Sequence, residues 1–446
     1  MSDLSSHVAK TRQNRGASAC PGLFRIVPAL DGGLCRVRLP FGHLAADQAR
    51  ALAAASEQFG NGIIDATNRA NLQLRGIKTN AESALINSLL GADLGPVDPN
   101  VDDIRNVMVS PTAGFDPDQA IDALPIARAI LSHLQSDIAC RSLSPKFSIL
   151  IDGGERVATI EHPHDIWLAS LDESAMALGI AGSPPVQDQD STPFLVVPTS
   201  RAIESAIAAI TLFLDIAARN PDVTRFRHLA PESALGRLGQ FLGVAVQHDE
   251  AWRRALPAHG GHIGIRAQRQ TGLVFVGAMP PLGRLSPRIL VELAALCEKF
   301  GTGHIRLTPW QSILIPAIRE SAAPQVVQML EAMGLICDPH APLASMIACV
   351  GSPGCAASFS DTKADALTLA HALPALDRVD RVIHLSGCTK SCASARTADV
   401  TLVASAPGAY ELFRKADGSS NRFGQSLARD LNIRDVSAQL RTMDTK

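Results

Sequence analysis

The hydrophobic positions of the chain run through the same succession of periods twice. Residues 34–39 (LCRVRL) and 273–279 (LVFVGAM) are rich in β-branched and apolar side chains, as strands are. Residues 47–58 and 287–299 change to helical spacing, and both runs stop at Phe-Gly, a common C-terminal signal. NLQLRGI (71–77) and SILIPAI (312–318) then alternate as strands do. Strand, helix, glycine turn and strand therefore recur in one order.

The recurrence is an internal repeat. Residues 40–77 align without a gap on 281–318 at a constant offset of 241. Gly42, Leu44, Glu57, Phe59, Gly60, Gly62, Ile64, Thr67 and Ile77 return as Gly283, Leu285, Glu298, Phe300, Gly301, Gly303, Ile305, Thr308 and Ile318. The segments after each copy also correspond: 106–130 sits where 347–373 sits, and 145–154 where 381–393 sits. The chain thus reads as two related halves. Residues 181–193, rich in Pro, Gly and Asp, read as an insertion loop, and the terminal RTMDTK as frayed.

Composition narrows the class. The 446 residues are 46% apolar and 19% charged, which suits a soluble globular protein of several packed units. A net charge of −2 gives no bulk attraction to nucleic acid or to an anionic membrane. The opening residues, 1–22, lack a signal-like apolar run, and no stretch approaches the ~18 apolar residues of a spanning helix. The expectation is a cytoplasmic protein. Nine unevenly spaced cysteines suit a reducing compartment and metal chemistry better than a disulfide framework.

Four of those cysteines form a pattern. CVGSPGC places Cys349 and Cys355 in one loop, and SGCTKSC places Cys388 and Cys392 in a second. Four thiolates in two loops suit zinc or an iron–sulfur cluster, with a chance set of buried thiols as the bland reading. Structural zinc favours tighter spacings, and Gly/Ser-rich loops let backbone N–H groups reach sulfur, which favours a cubane cluster. Cys297, Cys35, Cys140 and Cys337 read as core, and Cys20, in a loop before Pro21, stays open.

With these residues in place, the chain resembles the sulfite/nitrite reductase superfamily, in its four-cysteine spacing, the SGC leading the second pair and the duplicated half-domain. ACPGLFRI, GLCRVRLP, NVMVSPTAGFDP and GAMPPLGRL are similar to the precorrin-3B synthase branch. The resemblance implies an α+β fold with a pseudo-twofold. Ferredoxin-like half-domains would span 20–80 and 260–320, and larger α/β units 99–245 and 335–440, the last carrying a 4Fe-4S cluster on Cys349, Cys355, Cys388 and Cys392. In the reductases the final cysteine, here Cys392, bridges cluster and sirohaem.

The branch implies oxygen-dependent hydroxylation of precorrin-3A at C20 with γ-lactone formation, in aerobic cobalamin biosynthesis. Precorrin-3A and dioxygen would be the partners, with no permanently bound sirohaem. A substrate acetate supplies the nucleophile, so no catalytic residue is assigned. No dinucleotide fingerprint stands between a strand and a helix, so electrons would come from a separate reductase or ferredoxin, with NADH as ultimate source. A mononuclear non-haem iron is a further implied cofactor. His43, His162, His164, His304 and His384 show no 2-His-1-carboxylate spacing and read as surface or core.

The resemblance also carries basic residues. Segments matching the family's anion site place Arg69, Arg105 and Lys146 there, while the family's second lysine is replaced by Ser148. A lost cation weakens the case for a small oxyanion substrate. Arginine forks pair with carboxylates, and eight fringe a uroporphyrinoid. Arg36, Arg38 and Arg75 join Arg69 and Arg105 as candidates for that fringe, with Asn71, Gln73 and Gln311 as neutral donors. The bland reading makes these arginines a solvated strand face. A sirohaem-dependent ferredoxin sulfite or nitrite reductase is the alternative function, and a non-catalytic tetrapyrrole-binding or electron-transfer protein the second alternative.

Overall fold

A computed structural model describes residues 20–444 except 161, 187–191, 248–251, 375–380, 395–396 and 417–420. Both copies of the repeat form antiparallel sheets. The first orders Val27–Ala29, Gly32–Val37, Leu72–Ile77 and Ile64–Ala66, and the second Gly264–Ala267, Leu273–Ala278, Ile313–Arg319 and His304–Leu307. Each sheet is completed by a short strand from the other copy. Arg284–Leu285 pairs with Ile64 and Asp65, while His43–Ala45 pairs with His304–Arg306. The alternation pattern does not reveal this reciprocal exchange, because two- and three-residue strands carry no readable period.

Helices Ala46–Phe59 and Pro287–Phe300 pack on each other across the exchange. Leu44, Leu52, Leu74, Leu285, Leu293 and Ile315 share one hydrophobic core, so the half-domains form a single body. The repeat extends to backbone strain. Phe41 and Leu282 both take left-handed φ, 59° and 54°, and the glycines after them both have φ 71°.

The larger units share a topology as well. In the first, Val107–Val109, Ile149–Asp152 and His164–Ser170 run parallel, and Ala175–Gly182, Phe194–Pro198 and Val246–Gln247 continue antiparallel. In the second, Met346–Ala348, Ile383–Ser386 and Val400–Ala406 run parallel before Ala409–Arg414 and Gln425–Leu431. Helices Ala123–Ser136 and Thr362–Ala372 occupy matching places, each capped by an aspartate, Asp122 and Asp361. The architecture is the expected α+β duplication.

Two local readings change. The 181–193 loop begins inside a strand that runs to Gly182, and its residues 187–191 lie outside the described residues. The C-terminal segment continues the helix Ile433–Asp444 rather than fraying from Arg441, and only 445–446 lie outside the described residues. Among the described residues no helix is long and apolar enough to cross a membrane.

Candidate functional site

The four-cysteine motif gathers because two neighbouring parallel strands end together. Ala348 and Leu385 are paired at the carboxyl ends of their strands, and the loops beyond them hold Cys349, Cys355, Cys388 and Cys392. Ligand loops commonly lie at such ends. Gly387 N–H donates to Cys349 Sγ at 3.2 Å, and Thr362 Oγ1 lies 3.4 Å from the same sulfur while donating to the Cys349 carbonyl at 2.8 Å. Phe359 N–H donates to the Gly387 carbonyl at 2.9 Å and ties the loops together. A Cβ on Gly387 would stand 1.8 Å from Ser358 Oγ, so this close approach requires glycine.

None of the nine cysteines is in a disulfide. Burial pushes the Cys392 thiol up, and charge on Cys388, Cys349 and Cys355 adds to it, which puts the four sulfurs in one electrostatic neighbourhood. Four thiols with a backbone N–H already aimed at one sulfur fit an iron–sulfur cluster as donor set. Cys35, Cys140, Cys297 and Cys337 are buried, and burial raises their thiols to about 12, 11, 11 and 12. Cys20 is half-buried, its carbonyl accepting from Arg25 Nε at 2.6 Å.

The basic candidates separate by their partners. Arg69 and Arg105 line one cleft with Leu39, Asn71, Met108 and Leu307. The Arg69 guanidinium has no hydrogen bond or ion pair among the described residues, and burial, then Arg225 and Arg38, hold its pKa down. Arg105 donates to Asp102 at 3.2 Å and to the Arg38 carbonyl at 3.3 Å, leaving its Nε without a partner among the described residues. Arg38 is buried against Asp102 at 3.0 Å and Asp103 at 3.1 Å. With the Gln73 amide turned to present its oxygen, Arg36 donates to it at 2.8 and 3.2 Å. Burial, then Arg38, lowers Arg36 to about 10, with Arg69 contributing.

The others are committed elsewhere or open. Asn71 Oδ1 accepts from Leu39 N–H at 2.9 Å. Arg75 pairs with Asp31 at 2.8 and 2.9 Å and reaches the Gly354 carbonyl, in the first cysteine loop, at 3.4 Å. Lys146 is exposed. Gln311 has φ 64° and a buried Oε1 without a partner among the described residues.

Ser148 is fully buried, and its N–H donates to Asp165 Oδ2 at 3.0 Å. Arg225 Nε donates to both oxygens of that carboxylate, to Oδ2 at 2.7 Å and Oδ1 at 2.9 Å, so a guanidinium from 77 positions further on stands beside Ser148. Sequence reading missed Arg225, since nothing local distinguishes it. Among the described residues the five histidines form no metal-capable group, although His43 and His304 lie on paired strands. The one close group of three metal-capable side chains among the described residues is His133, Asp137 and Cys140.

Comparison with known proteins places this geometry. The model of the "Nitrite/Sulfite reductase ferredoxin-like half domain" matches residues 28–92 and 266–333, and that of the "Nitrite and sulphite reductase 4Fe-4S domain" matches 100–235. The latter match lies in the half without the four-cysteine motif. The chain is 29% identical over 406 residues to a precorrin-3B synthase of Sinorhizobium sp, covering 90% of this chain and 83% of that one. Its identity to the ferredoxin–nitrite reductase of Synechococcus elongatus is 29% over 404 residues, 83% and 76% of the two chains. The chloroplastic ferredoxin–nitrite reductase of Zea mays is 27% identical over 402 residues, 82% of this chain and 68% of that one. The NirA protein of Mycobacterium tuberculosis superposes with a TM-score of 0.68 at 20% identity, covering 93% and 81%, a likeness of fold. Two matched models that together take in more than half of the sequence, the exchanged half-domains and the paired loops agree: the chain belongs to the nitrite and sulfite reductase family.

Proposed function

We propose that this protein is a precorrin-3B synthase, an oxidoreductase that hydroxylates precorrin-3A at C20 with oxygen from dioxygen and closes a γ-lactone. One observation carries the reading. Two guanidinium groups, Arg69 and Arg105, line one cleft, while the position that matches a family lysine holds the neutral, buried Ser148. Arginine forks suit a macrocycle fringed with carboxylates, and a small oxyanion needs closely concentrated charge. The matched lengths agree, since the alignment takes in 83% of the synthase and 68% of the maize reductase.

In this reading Arg36, Arg69 and Arg105 hold the carboxylate fringe and Gln73 orients Arg36. Arg38 and Asp102 fix Arg105, and Asn71 fixes the backbone at Leu39. Cys349, Cys355, Cys388 and Cys392 would hold a 4Fe-4S cluster, which would supply electrons one at a time from an external reductase or ferredoxin. The strand Leu72–Ile77 joins the two regions. Gln73 faces Arg36, and Arg75, two residues on and on the same face, touches the cysteine loop. The protein's part is to bind, orient and shield the macrocycle.

The nitrite reductase reading has its own support, the equal 29% identity to the Synechococcus enzyme. Anaerobic purification separates the two. The synthase should show cluster absorption without sirohaem bands, convert precorrin-3A to a hydroxylated lactone with reductant and oxygen, and leave nitrite and sulfite unreduced. Stoichiometric sirohaem with nitrite- or sulfite-dependent electron uptake would install the reductase reading.

A further inference from the structure

A buried set of charges stands directly behind the first cysteine loop. Asp65 lies in the exchanged strand pairing and accepts from Arg284 Nε at 3.0 Å. Lys363 Nζ lies 3.7 Å and Arg75 Nε 3.8 Å from the same carboxylate. Arg75 is neutralised by Asp31 at 2.8 Å. Three cations therefore face two carboxylates, and Arg75 and Lys363 are only 3% and 8% exposed. Arg284, 35% exposed, brings the group to one net positive charge, and a buried cation is costly unless an anion answers it.

Both buried cations adjoin the cysteine loop, Arg75 by a hydrogen bond and Lys363 through the helix whose first turn reaches it. Arg75 donates to the Gly354 carbonyl, beside Cys355, and a Cβ on Gly354 would meet its Nη2 at 2.4 Å. Lys363 is next to Thr362, whose hydroxyl bonds Cys349, and its Nζ is locked by the Leu282 carbonyl at 2.6 Å. The helix Thr362–Ala372 thus brings its first turn, with this lysine, to Cys349. The equivalent first turn of the first half, Ala123-Leu124-Pro125, carries no charge.

Resting on the cluster assignment above, we propose that Lys363, with Arg75 and Arg284, is a charge clamp that sets the reduction potential of the cluster held by Cys349, Cys355, Cys388 and Cys392. Reduction adds an electron to an already anionic four-thiolate group. A fixed buried cation stabilises the added charge and raises the potential. Asp65 acts as a positioning residue that draws the three cations together across the exchanged strands.

The test is an EPR-monitored redox titration of the holoprotein, with iron and sulfide analysed in every sample. Lys363→Met should keep its iron and sulfide and titrate at lower potential. The reduced-to-oxidised ratio at a fixed potential should fall about tenfold, ~59 mV for one electron. Lys363→Arg should recover most of the wild-type potential. Arg284→Gln, at a site 35% exposed, supplies a second variant that spares the core and should shift the potential the same way by less. Cluster-replete Lys363→Met and Arg284→Gln proteins with the wild-type potential would overturn the clamp alone. Wild-type protein without acid-labile sulfide would instead overturn the cluster assignment beneath it, and the clamp with it.

Discussion

The two α/β units close the same pair of loops by different chemistry. In the second unit the loops after the first two parallel strands carry four thiols, and Gly387 and Thr362 already bond Cys349. In the first unit the corresponding loops close on themselves. Ser110, at the strand end where the other unit has Cys349, donates to the Val157 carbonyl at 2.5 Å. Asp116 stands six residues before the capping Asp122, as Cys355 stands before Asp361. It accepts from Thr112 at 2.7 Å and from Val157 N–H at 3.2 Å. Behind it Arg254 grips Asp152 at 2.6 and 3.0 Å and the Glu155 carbonyl at 2.6 Å. One backbone design therefore carries either a network of hydrogen bonds and ion pairs or a set of four thiols.

The largest expected effect tests that division. Cys355→Ser or Cys388→Ser should abolish nearly all acid-labile sulfide, from about four per chain. Asp116→Ala should leave it unchanged. Equal sulfide loss in both would mean that the first loop pair serves the cluster too.

Next comes stability. Asp152→Ala leaves Arg254 buried without its carboxylate, and breaking such a pair costs about 3–5 kcal/mol. Urea unfolding should show it, and a loss below about 1 kcal/mol would mean the first unit does not depend on its network.

A smaller effect contrasts repeat-related positions. Arg69 and Trp310 are separated by the 241-residue offset, yet Arg69 lines the cleft with no partner for its guanidinium among the described residues and Trp310 stacks on His262 at 4.5 Å. Arg69→Ala should weaken binding of an octacarboxylate porphyrinoid by about 1.5–3 kcal/mol, the scale of a charged hydrogen bond. Trp310→Phe should leave binding unchanged. Calorimetric titration decides, and equal affinities in wild type and Arg69→Ala would leave Arg69 a mere wall residue.

The mildest effect is on pH dependence. Burial, then the Asp152 charge, raises the Glu155 carboxyl well above its ordinary value. Its stabilising contribution is full below the ordinary carboxyl range and is lost as pH rises through the raised value, because only the unfolded chain ionises freely. Glu155→Gln should flatten that decline in urea midpoints measured at successive pH values. An unchanged slope would assign the decline to another group.

Much of the fold was legible because burial leaves a period. Residues 47–58 and 287–299 became Ala46–Phe59 and Pro287–Phe300, the strand at 71–77 became Leu72–Ile77, and that at 312–318 shifted by one residue to Ile313–Arg319. The exchanged strands were not legible, being too short to show alternation. At the site, the cysteine spacing was visible because a donor set tolerates few residue types. The basic positions were visible only as candidates, since an arginine on a strand looks the same whether it meets a ligand or an aspartate. Arg38 and Arg75 have such aspartates, and Arg69 has none among the described residues.

By itself, the sequence determined the duplication, the helix and strand periods and the four-thiol pattern, because each is a matter of spacing along one chain. Only the tertiary structure decided which charges are spent on one another. Asp65 meets Arg284 across 219 residues, Arg225 reaches Asp165 across 60, and Arg75 touches Gly354 across 279. Ion pairing depends on distance in space, and the exchange of two short strands, absent from any local pattern, brings Asp65 and Arg284 together.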